Sequence, residues 1–183
     1  MFIPINVIFS QQSERGWNNQ LACYDPKDNK WSYPSAKGEW PSPRAAHAAA
    51  IVGSQVFIFG GRHSTERMND LWILDMITMT WTQMKPDKLS CPEGRSWHSL
   101  TAINSRELVL YGGLSRFRTP LCDCWIYSVM SNRWTKVVTN SRIPRLWHTA
   151  VYSTVDDEVL IYGGGFDDLF NHNLGDVSLC PEF

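Results

Sequence analysis

The sequence predicts an all-β chain, an arc of about three to three and a half four-stranded antiparallel units of the β-propeller kind. Three observations predict it. First, an Arg-x-x-His segment recurs about every fifty residues: Pro43-Arg44-Ala45-Ala46-His47, Gly94-Arg95-Ser96-Trp97-His98 and Pro144-Arg145-Leu146-Trp147-His148. Second, an alternating apolar stretch follows each segment and ends in paired glycines: Gly60-Gly61, Gly112-Gly113 and Gly163-Gly164. Third, Asp70-Leu71-Trp72 is echoed by Asp123-Cys124-Trp125, and a lone tryptophan, Trp31, Trp81 or Trp134, closes each unit. Short strands and glycine pairs at this period mark propeller blades rather than a helical solenoid.

The elements follow in order. Residues 1–19 read as an irregular N-terminal segment and 20–183 as the repeat arc. Within the arc, 20–37 is a partial blade: Leu21–Asp25 and Lys30–Tyr33 look like third and fourth strands. Residues 43–85 form a complete blade. Ala46–Val52 is its first strand and Gly53-Ser54 a tight turn. Val56–Phe59 is a continuous apolar second strand covered on both faces. Arg62–Asn69 is a longer loop, Leu71–Asp75 the third strand, and the fourth lies around Trp81. Residues 94–138 repeat this plan, and 144–183 form a second partial blade whose third strand begins near Asp176.

Formal net charge is −1, so no global field draws the chain to nucleic acid or a membrane surface. The apolar start, Met1 to Phe9, is interrupted by Pro4, lacks a basic lead, and is too short to span a bilayer. It reads as an unusual start, not a signal. The cysteines at 23, 91, 122, 124 and 180 lack zinc spacing. Cys122 and Cys124 share one face of a strand and are poorly placed to bond each other. Free, mostly buried thiols fit a reducing compartment, cytosol or nucleus. No nucleophile–base pair or carboxylate dyad stands out, so neither catalysis nor a metal or other cofactor is expected.

Glycine pairs allow close approach where strands crowd near the propeller axis. The closing tryptophans are expected between blades as core, and the recurrent histidines as hydrogen-bonded scaffold. The loops between second and third strands share one rim with the segments that precede each first strand. Arg15, Arg44, Arg62, Arg67, Arg95, Arg116, Arg118, Arg142 and Arg145 fall on that rim or its approaches; Arg106, Arg133 and the run Asp156-Asp157-Glu158 fall on the other. Arg44, Arg95 and Arg145 repeat with the blades and read as structural. Arg62 and Arg67 do not repeat, because Leu114 and Gly165 follow the later doublets. A planar guanidinium fork suits carboxylate and phosphate, so this rim points to an anionic partner.

The Arg-x-x-His start, the glycine doublet, Asn69-Asp70-Leu71-Trp72 and the spaced tryptophan together resemble kelch repeats. Over residues 15 to 170 the chain further resembles the kelch-domain substrate receptors of cullin-RING ubiquitin ligases that read C-terminal diglycine degrons. The likeness includes Arg15-Gly16-Trp17-Asn18, Pro41 to His47, Gly60-Gly61-Arg62 with Arg67 to Leu71, Gly94 to Leu100, and Pro144 to Ala150. It implies that Arg62, Arg67 and Ser96 hold the degron carboxylate. Trp17 and Trp97 would wall the slot, Arg15 would stand at its edge, and Leu169 is an apolar candidate. The implied partners are protein C-termini ending in glycine, with elongin B/C and a cullin for a full-length parent. No amphipathic helical docking box follows the repeats here, so a truncated form with exposed strand edges is expected. The alternative is a general kelch scaffold for actin or a transcription factor, without terminus recognition.

Overall fold

The computed structural model describes residues 6–9, 12–13, 16–17, 19–87, 90–138, 143–166 and 177–179, the strands at 6–9, 12–13, 16–17 and 177–179 by their backbone alone. No α-helix occurs among them; the chain is a succession of antiparallel sheets. The first sheet joins β1 (Asn6–Phe9), β4 (Leu21–Asp25) and β5 (Lys30–Ser32), with a small hairpin of β2 (Gln12–Ser13) and β3 (Gly16–Trp17) between β1 and β4. Residues 1–19, expected to be irregular, thus supply a ladder strand and a hairpin.

The second sheet runs β6 (Ala48–Val52), β7 (Gln55–Phe59), β10 (Leu71–Asp75), β11 (Thr80–Met84). Between β7 and β10 lies a hairpin of β8 (Arg62–His63) and β9 (Glu66–Arg67), where the sequence suggested only a loop. The third sheet comprises β12 (Arg95–Ser96), β13 (Ser99–Ala102), β14 (Glu107–Ser115), β15 (Pro120–Ser128) and β16 (Arg133–Val137). The fourth joins β17 (Thr149–Ser153), β18 (Glu158–Tyr162) and β19 (Val177–Leu179). First strands β6, β13 and β17 lie side by side from blade to blade, which makes them the innermost.

One node repeats in each blade. Arg44 lies fully buried, forks onto both carboxylate oxygens of Asp70 at 2.7 and 2.8 Å, and also donates to the Gly60 carbonyl at 2.9 Å. The Trp72 indole N–H donates to the same carboxylate at 2.6 Å. Arg95, Asp123, Gly112 and Trp125 repeat the arrangement, and Arg145 reaches the Gly163 carbonyl at 2.9 Å. Burial would raise the Asp70 and Asp123 carboxyls, but the bidentate arginines outweigh it and hold both below the usual range. The repeating arginines are therefore consumed by the fold and do not charge the rim.

Blades are laced together by their backbones. Gly61 N–H donates to the Arg95 carbonyl and Gly113 N–H to that of Arg145, at 2.9 and 2.8 Å. Trp97 N–H donates to the Ala46 carbonyl and Trp147 N–H to that of Trp97. Those three residues are left-handed, with φ of 55° at Ala46, 58° at Trp97 and 56° at Trp147. His98 and His148 stand edge-on to the last aromatic of the preceding blade's second strand, Phe59 of β7 and Tyr111 of β14, at 5.5 and 5.6 Å. At Gly112, φ is +63° and a Cβ would fall 2.5 Å from the Arg145 carbonyl oxygen, so only glycine fits.

The core is the set of seams between blades. Phe57, Phe59, Ile73, Leu108, Leu110 and Trp134 fill the seam of the second and third sheets. Trp81 packs against Leu21 and Trp40, and Trp134 against Phe59. Each closing tryptophan is thus covered by the unit before it. That order corrects the reading of Trp31 as core. It belongs to the first described sheet, touches Tyr24 at 5.0 Å, and is 51% exposed, against 2% for Trp81 and 1% for Trp134. Cys124 is buried, and the thiols of Cys23, Cys91 and Cys122 are half-buried, so the cysteines are less buried than expected.

Candidate functional site: an arginine pair over Trp97

Three segments build the site. The left-handed glycines Gly60 and Gly61 bend the chain out of β7, and pairing resumes as the β8–β9 hairpin. Arg62 and Arg67 are directly opposite on that hairpin, and an Ala45–Arg62 bridge ties it to its own blade. The next blade contributes Ser96 from β12, where Ser96 pairs with Leu114, and Trp97 from the left-handed corner that follows. The third contributor is Trp147, the same repeat position one blade further on.

The geometry brings these side chains together. Arg67 Nε donates to Ser96 Oγ at 2.9 Å. The Arg62 and Arg67 guanidinium carbons lie 5.1 and 5.8 Å from the centre of the Trp97 ring. Trp97 in turn packs on Trp147, with centroids 4.7 Å apart and planes tilted by 51°. Ser96 is buried, and both arginines are half-buried.

Two features of this arrangement are not required by the fold. Ser96 occupies the position of Ala45 and Leu146 in the neighbouring repeats, so the scaffold needs no hydroxyl there. Like charges directly opposite on paired strands are destabilising, yet Arg62 and Arg67 oppose each other. A local rule broken in this way is expected at functional positions.

Of the residues singled out from sequence, Arg62, Arg67, Ser96 and Trp97 converge. Trp17 lies in β3, at the repeat position that Arg67 holds in the next unit, since each stands four residues before its third strand; its side chain is outside the described residues. Arg15 and Leu169 also lie outside the described residues. Sequence reasoning missed Trp147. Its signal was present: Trp97 and Trp147 both precede the repeat histidine, at a left-handed position where the two rings meet. Among the described residues no cluster of His, Cys, Asp and Glu could hold a metal ion.

Comparison with known proteins agrees with this architecture. A family model described as the KLHDC2/KLHL20/DRC7 Kelch-repeats domain matches residues 7–168. The chain is 44% identical over 160 residues to Kelch domain-containing protein 2 of Bos taurus, covering 87% of this chain and 39% of that protein. It is 41% identical over 162 residues to human Kelch domain-containing protein 1, covering 87% of this chain and 40% of the relative. Kelch domain-containing protein 10 of Rattus norvegicus is 30% identical over 167 residues. The chain spans about two fifths of the length of these relatives.

Proposed function

Because the chain belongs to the KLHDC2/KLHL20/DRC7 kelch-repeats family, we propose that its arginine-bearing rim binds the free C-terminus of polypeptides ending in glycine. In a longer parent protein this module is the substrate-reading part of a cullin-RING ubiquitin ligase, joined to it through elongin B/C. The observation that carries the reading is the Arg67–Ser96 hydrogen bond of 2.9 Å beside two guanidiniums, 5.1 and 5.8 Å from the centre of one indole ring.

The chemistry is that of terminus capture. A chain end offers two carboxylate oxygens, and guanidinium N–H groups meet such a pair in a planar fork. Ser96 Oγ accepts from Arg67, which leaves its own proton to donate to the incoming oxygen. The bound anion lies between Arg62 and Arg67 and removes their mutual repulsion. Trp97, packed on Trp147, walls the slot and leaves no room for a Cβ beside the carboxylate, so glycine is selected.

The test compares a diglycine-ended peptide with its C-terminal amide. The free acid is expected to bind at least about ten times more tightly, because the amide leaves the buried donors without an anion. Equal affinity for the two forms rejects the proposal.

A further inference from the structure

The next hairpin along the same rim carries a second, differently built feature. Its tip, between β14 and β15, is Arg116-Phe117-Arg118-Thr119. The corresponding tip of the preceding hairpin is Ser64-Thr65, so the cationic and aromatic residues here are not part of the repeat.

The tip is held in one shape. Ser115 Oγ accepts from the Phe117 and Thr119 amides at 3.2 and 3.1 Å. Arg118 N–H donates to the Ser115 carbonyl at 3.0 Å, and Arg118 is left-handed, with φ of 59°. Phe117 is nevertheless 71% exposed, with the Arg116 guanidinium over its ring, 4.6 Å from the centroid. Fixing a phenyl ring and a cation in water contributes nothing to the core.

Gly94 connects this tip to the arginine pair. Its carbonyl accepts from Arg116 N–H at 3.1 Å, and a Cβ on it would fall 2.2 Å from the Arg67 carbonyl oxygen. Gly94 therefore lies between the tip, which it bonds, and the backbone that carries Arg67. Glu66 and Glu93 also lie along this stretch of rim, against Arg62, Arg67, Arg116 and Arg118. The balance among these residues is positive.

We infer that Arg116, Phe117 and Arg118 form a second subsite that selects acidic residues upstream of the glycine end of the bound polypeptide. The inference rests on the terminus reading above. Packed sheets stand roughly 10 Å apart and an extended chain advances about 3.3 Å per residue. A peptide anchored by its carboxylate at Arg67 and Ser96 reaches the next hairpin about three to four residues before its last glycine. An Asp or Glu there meets the guanidiniums, and its aliphatic part lies on the phenyl ring.

The experiment uses the full chain and fluorescent peptides ending in diglycine, with Glu, Ala or Lys at the third and fourth positions before the last residue. The order of affinity is expected to be Glu, then Ala, then Lys, with about 3- to 10-fold between Glu and Lys, as for exposed ion pairs. The preference should shrink at high salt. The double variant Arg116→Glu, Arg118→Glu should reverse it while the amide control still fails to bind. If the three peptides bind alike but amidation abolishes binding, the acidic subsite is wrong and terminus capture survives. If no free-ended peptide binds, both are wrong.

Discussion

Arg67 of one blade donates its Nε–H to the Ser96 hydroxyl of the next, at 2.9 Å. The bond crosses a blade seam, so the two residues are set relative to one another by the packing of two sheets and not by local sequence. Residues that act on one ligand through a shared hydrogen bond are coupled. Arg67→Ala and Ser96→Ala should each weaken binding of a diglycine-ended peptide by about ten-fold or more. The double variant should lose less than the two combined, with a coupling energy of about 0.5–3 kcal/mol by titration calorimetry. Strict additivity would mean that the carboxylate is not shared between them. Ser96→Ala should still fold, since alanine stands at the matching position 45.

The two kinds of arginine should separate cleanly in stability measurements. Arg95 is buried and bidentate to Asp123, so Arg95→Ala leaves a half-buried carboxylate without its partner. A loss of about 3–5 kcal/mol is expected from the urea midpoint. Arg67→Gln removes one of two opposed like charges on β8–β9 and should be neutral or slightly stabilising, within about 0.5 kcal/mol. A large stability loss at Arg67 would make it a scaffold residue and undermine its place in the site.

Much of this was legible in the sequence, and the limits have physical causes. The third strand Leu71–Asp75 and the first-blade strand Leu21–Asp25 fall where the apolar pattern put them. In Leu71–Asp75 the apolar run reflects burial on both faces of a sheet, whereas in Leu21–Asp25 only Leu21 is buried. The β8–β9 hairpin was not legible, because two-residue strands carry no periodicity and depend on the glycines that bend the chain. Trp31 was misread since its motif is that of Trp81, while its burial depends on which sheet stands beside it. Arg62 and Arg67 could be picked out because they break the repeat.

Two left-handed glycines, one in a turn and one in a doublet, give a test of close packing that separates two causes. Gly53 and Gly112 both have positive φ, 59° and 63°. A Cβ at Gly53 meets nothing within 4 Å, whereas one at Gly112 would collide with the Arg145 carbonyl oxygen at 2.5 Å. Gly53→Ala should cost only the left-handed backbone term, about 1–2 kcal/mol. Gly112→Ala adds a backbone clash between blades, so its loss should be clearly larger in the same denaturation assay. Equal losses would show that the seam can open without cost.

The buried histidines should make the fold sensitive to mild acid. Burial first, and Arg44 and Arg145 next, hold His47 and His148 at about 4, and burial with Arg95 holds His98 well below its ordinary value. Unfolded histidine titrates near about 6.5. Between these values the unfolded chain binds more protons, so stability is fully present above the unfolded value and falls as the pH drops toward the folded one. Each histidine contributes a slope of at most about 1.4 kcal/mol per pH unit. Asp70 and Asp123, depressed in the folded chain, carry the same sign into the carboxylate range. Urea midpoints should therefore decline steadily from pH 7.5 to pH 5, and His148→Gln, which can still reach Ser99 Oγ, should flatten the decline. A midpoint constant over that interval would mean that these rings accept protons inside the folded blades, against the burial and the arginines that surround them.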